Sequence, residues 1–143
     1  RATVTGKIRI VGANQWRPHI HVQDAADAFV RAVEAPAALA NRGVFNVGGD
    51  HLNYTVGQIA RKVLDFLPGT VVEELDQIED RRSYRVSFKR IRERLGFEPR
   101  FSVEDAIREV HDILRSGQVR DFSAPVYYNV KQLQEYTRRR ASA

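Results

Sequence analysis

The stretch WRPHIHVQDAADAF, residues 16–29, predicts a short strand that carries one arginine and leads directly into a helix. Ile20 and Val22 alternate with histidines, as in a pleated strand with one apolar face. Asp24 follows at once, and a carboxylate there can accept the unpaired N–H groups of a helical first turn. Apolar residues then recur at helical spacing through Phe29. We therefore expect a strand, then a helix capped by Asp24 and ending near Glu34.

Similar patterns elsewhere predict an α/β fold with several helices and small mixed sheet segments. Val44–Val47 is an apolar run without polar alternation, which is typical of a strand buried on both faces of a parallel sheet. Ser102 and Asp105 have the spacing of a reciprocal helix cap. The predicted strands cover residues 7–11, 44–47 and 70–75, residues 80–86 are extended, and further helices begin at Thr55, Ser87, Ser102 and Asn129.

Composition limits the class of protein. The chain has 143 residues, of which 43% are hydrophobic and 29% charged, as expected for one modest globular domain with a core. It has no cysteine and only four scattered histidines, so neither a disulfide framework nor a metal site is predicted. No apolar run approaches about 18 residues and no signal peptide is recognisable, so we expect a cytoplasmic protein that does not contact a membrane.

Charge favours an anionic partner. The formal net charge is +5, and most of the 23 basic residues are arginine, whose planar fork binds phosphate at two points. The segment DRRSYRV, residues 80–86, concentrates three arginines in extended chain. In a strand, Arg82 would share one face with Tyr84, and Arg81 would share the other with Arg85. The alternative to an anion-binding site is a basic surface that contacts only solvent, with residues 80–86 as a charged edge strand that resists aggregation.

Several motifs, in the same order along the chain, resemble the substrate half of NAD(P)-dependent nucleotide-sugar epimerases and dehydratases, the extended short-chain dehydrogenase/reductase family. They are the residue 16–29 stretch, GVFNVGG at 43–49, the Asp-x-Arg element at 80–82 and LGFEP at 95–99. The resemblance implies that Arg17 and Arg82 grip the diphosphate of the sugar nucleotide. It also implies that Asp80 orients Arg82 or meets a ribose hydroxyl, and that the backbone near Ile8 and Ile10 meets the base.

The family's cofactor turn, Gly-x-x-Gly-x-x-Gly after the first strand, has no match here. The resemblance therefore implies that residues 1–143 are a C-terminal substrate-binding portion that lacks most of the Rossmann domain. Because chain termini are often poorly ordered, we also expect a frayed tail over 135–143. NAD or NADP would be bound by a preceding dinucleotide-binding domain and not by this fragment, and the parent would be a homodimer. No catalytic residue is assigned. The pair Tyr127 and Lys131 has the family's catalytic spacing, but it follows the substrate half instead of preceding it.

Two other classes stay open. One is a small basic module that binds nucleic acid or another anion without catalysis. The absence from the sequence of a recognisable stacking platform or recognition helix speaks against it, so no nucleic-acid partner is expected. The other is a degenerate or truncated subunit with a structural role.

Overall fold

The structure is a computed structural model that describes residues 1–75 and 82–141. The chain divides into two compact units, Arg1–Val110 and His111–Ala143. The helices are α1 (Ala2–Thr5), α2 (Val22–Glu34), α3 (Ala37–Ala40), α4 (Val56–Phe66), α5 (Lys89–Leu95), α6 (Val103–Arg115) and α7 (Asn129–Ala141), and the strands are β1 (Lys7–Val11), β2 (Trp16–Pro18), β3 (Asn53–Thr55) and β4 (Val71–Leu75). The predicted mixture of helices and small sheets is confirmed.

The first sheet pairs β1 with β4 in parallel, with Lys7 opposite Val71 and Val11 opposite Leu75. Side chains alternate along β1, so that Ile8 and Ile10 are half-buried while Lys7 and Arg9 are exposed. Lys7 and Arg9 both reach Glu73 on β4, at 3.3 and 2.9 Å. Their hydrogen bonds, that of Arg9 above all, lower the pKa of the Glu73 carboxyl. The charged face of this sheet is thus cross-linked between its two strands.

The second sheet pairs β2 with β3 antiparallel and places Arg17 opposite Tyr54. Helix α4 follows β3 directly, and Thr55 begins it as predicted. The Gln58 N–H donates to Thr55 Oγ1 at 3.1 Å, and the Thr55 N–H donates to Gln58 Oε1 at 2.8 Å. This reciprocal cap satisfies two backbone donors that a helix start otherwise leaves unpaired, so it fixes where the strand becomes a helix.

The core of the first unit lies between α2, α5 and the loop after α5. Its buried members are Ala28, Phe88, Ile91 and Phe97. Half-buried apolar residues pack around them, namely Ile20, Phe45, Val47, Val86 and Leu95. Because α5 and Phe88 belong to this core, the extended segment that precedes α5 is held against it.

The start of α2 differs from the prediction. Val22 is the first helical residue and not the last of a strand, and His21 is the cap, since its Nδ1 accepts the Gln23 N–H at 3.2 Å. Asp24 lies fully buried inside the first turn. Its two carboxylate oxygens accept the backbone N–H groups of Arg100 and Phe101, each at 3.0 Å. The Asp24 carboxylate therefore holds the loop at residues 100–101 against α2, and it does not cap the helix.

The segment Val44–Val47 also differs from the prediction. It is extended but pairs with no other strand among residues 1–75 and 82–141. Phe45 and Val47 pack against the core, whereas Val44 is 78% exposed. A strand needs a neighbour to accept and donate its backbone hydrogen bonds, and the described part of the chain supplies none.

Helix ends later in the chain largely follow the sequence. Ser102 and Asp105 exchange the predicted hydrogen bonds, at 2.9 Å to the carboxylate and 3.1 Å to the hydroxyl. The start of α5 is weaker than expected, because Phe88 is the cap residue and Ser87 Oγ accepts the Lys89 N–H only at 3.4 Å.

In the second unit, α7 continues to Ala141, so that residues 135–141, expected to be frayed, are helical. The Thr137 hydroxyl donates to the Leu133 carbonyl at 2.9 Å, and Arg140 contacts Tyr136 one turn earlier. These contacts between residues four apart give the last turns local partners. No helix in the described ranges is both long and apolar enough to cross a membrane.

Candidate functional site

Strand β2 has neighbours along both edges. One edge pairs with β3, and the other lies beside residues 82–86, where the Tyr84 N–H donates to the Trp16 carbonyl at 3.3 Å and the Trp16 N–H donates to Ser83 Oγ at 3.1 Å. We call residues 16–18 and 82–86 together the arginine ribbon. It brings together two stretches that lie far apart in sequence.

Buried Asn53 on β3 anchors the far end of this ribbon. Its Nδ2 donates to the Val86 carbonyl and its Oδ1 accepts the Val86 N–H, both at 2.9 Å. The side-chain amide thus reproduces the pairing of a strand backbone. Two residues after Val86, the Phe88 N–H donates to Asp50 Oδ1 at 3.0 Å. This hydrogen bond and the Arg92 guanidinium lower the pKa of the Asp50 carboxyl, so it is charged at neutral pH.

Arg17 cross-links the ribbon through its guanidinium. Nη1 donates to the Trp16 carbonyl at 2.9 Å and to the Arg82 carbonyl, and Nη2 donates to Gln15 Oε1 at 3.1 Å. Its Cζ lies 5.5 Å from the centroid of the Tyr84 ring. Arg17 therefore holds the two stretches together and places its guanidinium at the site.

Of the two predicted clamp residues, Arg82 is thus carried to Arg17 by its backbone, although 65 positions separate them. Its side chain is exposed at the surface of the ribbon. Asp80, the predicted partner of Arg82, and Arg81 lie outside the described residues. The contact places the half-buried Arg17 guanidinium beside the exposed residue Arg82, and guanidinium groups are donors that phosphate oxygens accept from.

The turn that joins β1 to β2 connects this surface to Ile8 and Ile10. The turn closes through the Gln15 N–H donating to the Gly12 carbonyl at 2.8 Å, with Gly12 at a φ of 65°. Helix α4 holds it, because the Gly57 N–H donates to the Ala13 carbonyl at 2.8 Å. An open groove of about 480 Å³ lies beside the turn. Its lining residues are Ala13, Asn14, Thr55, Gly57, Gln58 and Arg61.

Sequence reasoning missed several residues of this site. Gln15, Asn53 and Ser83 position the ribbon through single polar side chains, and no spacing rule identifies such contacts between distant segments. It also missed that aromatic rings accompany the arginines. Arg17 lies over Tyr84, and Arg85 lies over Trp16 at 4.7 Å from the ring centroid. The sequence offered one signal, the alternation of arginine with aromatic residues in both stretches.

Two of the four histidines, His19 and His21, are packed into the fold. His21 is buried and its Nε2 lies 2.8 Å from Glu109 Oε2. His19 lines a cavity of about 110 Å³, its Nε2 is buried, and burial lowers the pKa of its imidazole. Within the described ranges, no group of three or more histidine and carboxylate side chains could hold a metal ion.

The pair with the family's catalytic spacing is divided by the start of a helix. Tyr127 ends a short 3-10 turn, Pro125–Tyr127, and lies outside α7, as predicted. The ammonium of Lys131 lies instead 4.4 Å from the ring centroid of Tyr128.

Comparison with known proteins gives a consistent picture. Residues 1–48 match the family described as NAD dependent epimerase/dehydratase. Solved structures similar to this chain include a partial consensus L-threonine 3-dehydrogenase, with 20% identity, a TM-score of 0.70 and 80% of this chain covered. A GalE-like L-threonine dehydrogenase from Cupriavidus necator has 21% identity, a TM-score of 0.68 and 79% coverage. A short-chain dehydrogenase/reductase superfamily protein from Agrobacterium tumefaciens with bound NAD has 21% identity, a TM-score of 0.65 and 80% coverage. No curated protein matches the chain.

These matches define the fold. The chain spans only part of the solved structures, namely 39%, 43% and 34% of their lengths in the same order. It therefore has the α/β fold of part of an extended short-chain dehydrogenase/reductase, and its first third carries the sequence signature of the epimerase/dehydratase family.

Proposed function

We propose that this chain binds the diphosphate of a nucleotide-sugar substrate, as the substrate-binding portion of an NAD(P)-dependent epimerase or dehydratase. One observation carries the proposal. The Arg17 guanidinium is bonded to the Arg82 carbonyl, which brings together the two arginines that the motifs single out. The match of residues 1–48 to the NAD dependent epimerase/dehydratase family supports the same conclusion.

The chemistry of the clamp follows from charge and position. A diphosphate offers several anionic oxygens, and guanidinium groups donate to such oxygens at two points each. Arg17 is held in place by its bonds to the ribbon, so little side-chain freedom is lost when a ligand binds. Arg82 is exposed, and its backbone carbonyl lies beside the Arg17 guanidinium, so both arginines border the same site. Asp80 would orient Arg82 or meet a ribose hydroxyl.

The base would lie near the backbone of Ile8 and Ile10. The Gly12–Gln15 turn joins β1 directly to the strand that carries Arg17, so one extended ligand can meet both. Binding energy from base and diphosphate would then position the sugar for reaction, although neither group takes part in the chemistry.

The residues of this chain do not fit a dinucleotide cofactor, because no glycine-rich turn joins a strand to a helix start in the manner of the family. We propose that a preceding dinucleotide-binding domain holds NAD or NADP, and that the parent is a homodimer. When bound, the cofactor would accept and return a hydride. The 143-residue chain alone is accordingly expected not to turn over nucleotide sugars.

Surface exposure supports a covering domain. One side of α2 presents Phe29 and Val33, which are 73% and 85% exposed, and Val44 is equally open. Large apolar side chains at this density are unusual on a free surface. The unpaired backbone of Val44–Val47 offers an edge to which a neighbouring strand can add.

The test is the affinity of the chain for a nucleotide diphosphate sugar, measured by calorimetry. Removal of a guanidinium that contacts the diphosphate costs roughly 1.5–3 kcal/mol, so Arg82→Ala should weaken binding about 10- to 100-fold. Arg115→Ala, which removes an exposed arginine from α6, is the matched control and should leave the affinity unchanged. Equal affinities for the wild type and Arg82→Ala would refute the clamp.

A second candidate function has its own support. The contacts of Arg17 with Tyr84 and of Arg85 with Trp16 place arginine beside aromatic rings, a combination that proteins binding single-stranded nucleic acid use. A steep fall in DNA or RNA affinity with salt, without binding of nucleotide sugars, would favour this function over the first.

A further inference from the structure

The two arginine–aromatic stacks lie on opposite sides of the arginine ribbon. Trp16 and Arg17 are consecutive residues of β2, so their side chains point to opposite sides. Arg17 lies over Tyr84 on one side, and Arg85 lies over Trp16 on the other. The Trp16–Arg85 stack is therefore separate from the Arg17–Arg82 contact.

The Arg85 guanidinium has unused hydrogen-bonding capacity. Its residue is exposed, and across residues 1–75 and 82–141 it has no carboxylate or carbonyl acceptor. Several other exposed arginines are paired, since Arg9, Arg92 and Arg108 each bind a carboxylate at 2.9 to 3.2 Å. The Arg85 guanidinium carbon lies over the Trp16 ring at 4.7 Å from the centroid, and this contact uses none of the five N–H donors of the guanidinium for a hydrogen bond.

A second donor lies on the same side. Ser83 and Arg85 both contact Trp16, Ser83 through its hydroxyl oxygen and Arg85 through its guanidinium. Ser83 Oγ accepts the Trp16 N–H at 3.1 Å, and its own hydroxyl hydrogen has no acceptor in the described part of the chain. A planar two-point donor and a hydroxyl therefore face solvent together, beside a fixed aromatic ring.

We propose that Arg85, stacked on Trp16, forms with Ser83 a second anion site that binds a phosphate group on the side of the ribbon opposite Arg17. Guanidinium and hydroxyl donors match phosphoryl oxygens, and no carboxylate of the described residues competes for them. The site takes inorganic phosphate, diphosphate or the phosphate of a nucleotide, without requiring a base. It does not depend on the nucleotide-sugar function, because it uses neither Arg17 nor Arg82.

Trp16 is the only tryptophan, so its fluorescence reports directly on this site. The experiment titrates the 143-residue chain carrying Arg82→Ala, which weakens the clamp and is the reference for every further variant, with inorganic diphosphate, with a nucleoside diphosphate and with sodium chloride at matched ionic strength. Diphosphate should give a saturable change in Trp16 emission that chloride does not reproduce. Inorganic and nucleoside diphosphate should bind within about threefold of each other.

Variants locate the effect. Arg85→Gln should weaken diphosphate binding at least tenfold, and Arg85→Lys should recover only part of it, because an ammonium keeps the charge without the planar fork. Arg90 is the matched control, since it is exposed and lies 5.3 Å from the Phe45 ring centroid. Arg90→Gln, added to the Arg82→Ala reference, should bind diphosphate like that reference.

Three results would overturn the proposal. They are an unchanged affinity in Arg85→Gln, an equal loss in Arg90→Gln, and a response to nucleoside diphosphate without one to inorganic diphosphate. Far-UV circular dichroism verifies that each variant is folded, which is expected because both arginines are exposed. If this proposal fails while Arg82→Ala still weakens nucleotide-sugar binding, the Arg17–Arg82 clamp stands. If Arg82→Ala leaves nucleotide-sugar binding unchanged while Arg85→Gln weakens diphosphate binding, only the second site stands.

Discussion

At the scale of single residues, buried polar side chains determine which segments meet. Asp24 ties the loop at Arg100 and Phe101 to α2, and Asn53 ties Val86 to β3. Each accepts or donates to backbone groups that would otherwise lie unpaired in the interior, where an unmet hydrogen bond is costly. Asn53 thus positions the end of the segment that carries Arg82, and Asp24 positions the loop after α5.

Asp24→Ala should therefore lower the free energy of unfolding by about 3 kcal/mol, since it leaves two backbone N–H groups without their charged acceptor. Asp27→Ala is the matched control. It lies on the same helix and pairs with Arg100 at the surface, so its removal should cost less than about 1 kcal/mol. Urea unfolding measures both, and equal costs would show that the buried bonds are unimportant.

His19 makes stability depend on pH. Burial lowers its folded-state pKa below the ordinary value of 6.5, so between these two pKa values the unfolded chain binds more protons. The contribution is fully present above about pH 6.5 and is lost as pH falls towards the folded pKa. His19→Phe should flatten this part of the urea midpoint profile. A profile identical to that of the wild type would contradict the assignment.

At the scale of elements, the sequence predicts a helix start correctly where the residues that cap it are close neighbours in the chain. Thr55 and the Ser102–Asp105 pair cap their helices as predicted, because both partners lie within one turn. The start of α2 was predicted incorrectly, since the partners of Asp24 lie more than 70 positions away. Likewise the motifs indicated Arg17 and Arg82, but only the folded chain shows Gln15, Ser83 and Asn53 around them.

The cap strengths can be compared directly. Thr55→Ala removes a reciprocal cap and should destabilise the chain by about 1 kcal/mol. Ser87→Ala removes only a 3.4 Å contact at the start of α5, so it should lower the free energy of unfolding by only a few tenths of the Thr55→Ala effect. Thermal unfolding of the two variants gives the ranking, and the reverse order would contradict this description of the two caps.

At the scale of the whole molecule, our proposal assigns a partner element to the apolar surface of α2 and to Val44–Val47, which pairs with no strand among the described residues. We expect Phe29→Ser to change the unfolding free energy of the chain by less than about 0.5 kcal/mol, because the ring is already in solvent. In a protein that also contains the proposed dinucleotide-binding domain, the same change should cost about 2 kcal/mol, as for an apolar side chain that becomes buried. Equal small effects in both proteins would exclude this surface as the interface.

The central claim is that Arg17 and Arg82 together hold a diphosphate. A crystal structure with a bound nucleoside diphosphate tests it most directly. The account predicts phosphoryl oxygens within about 2.7–3.1 Å of both guanidinium groups, while the Arg17 bond to the Arg82 carbonyl is kept or exchanged for the ligand. A diphosphate bound elsewhere, with neither arginine in contact, would contradict it.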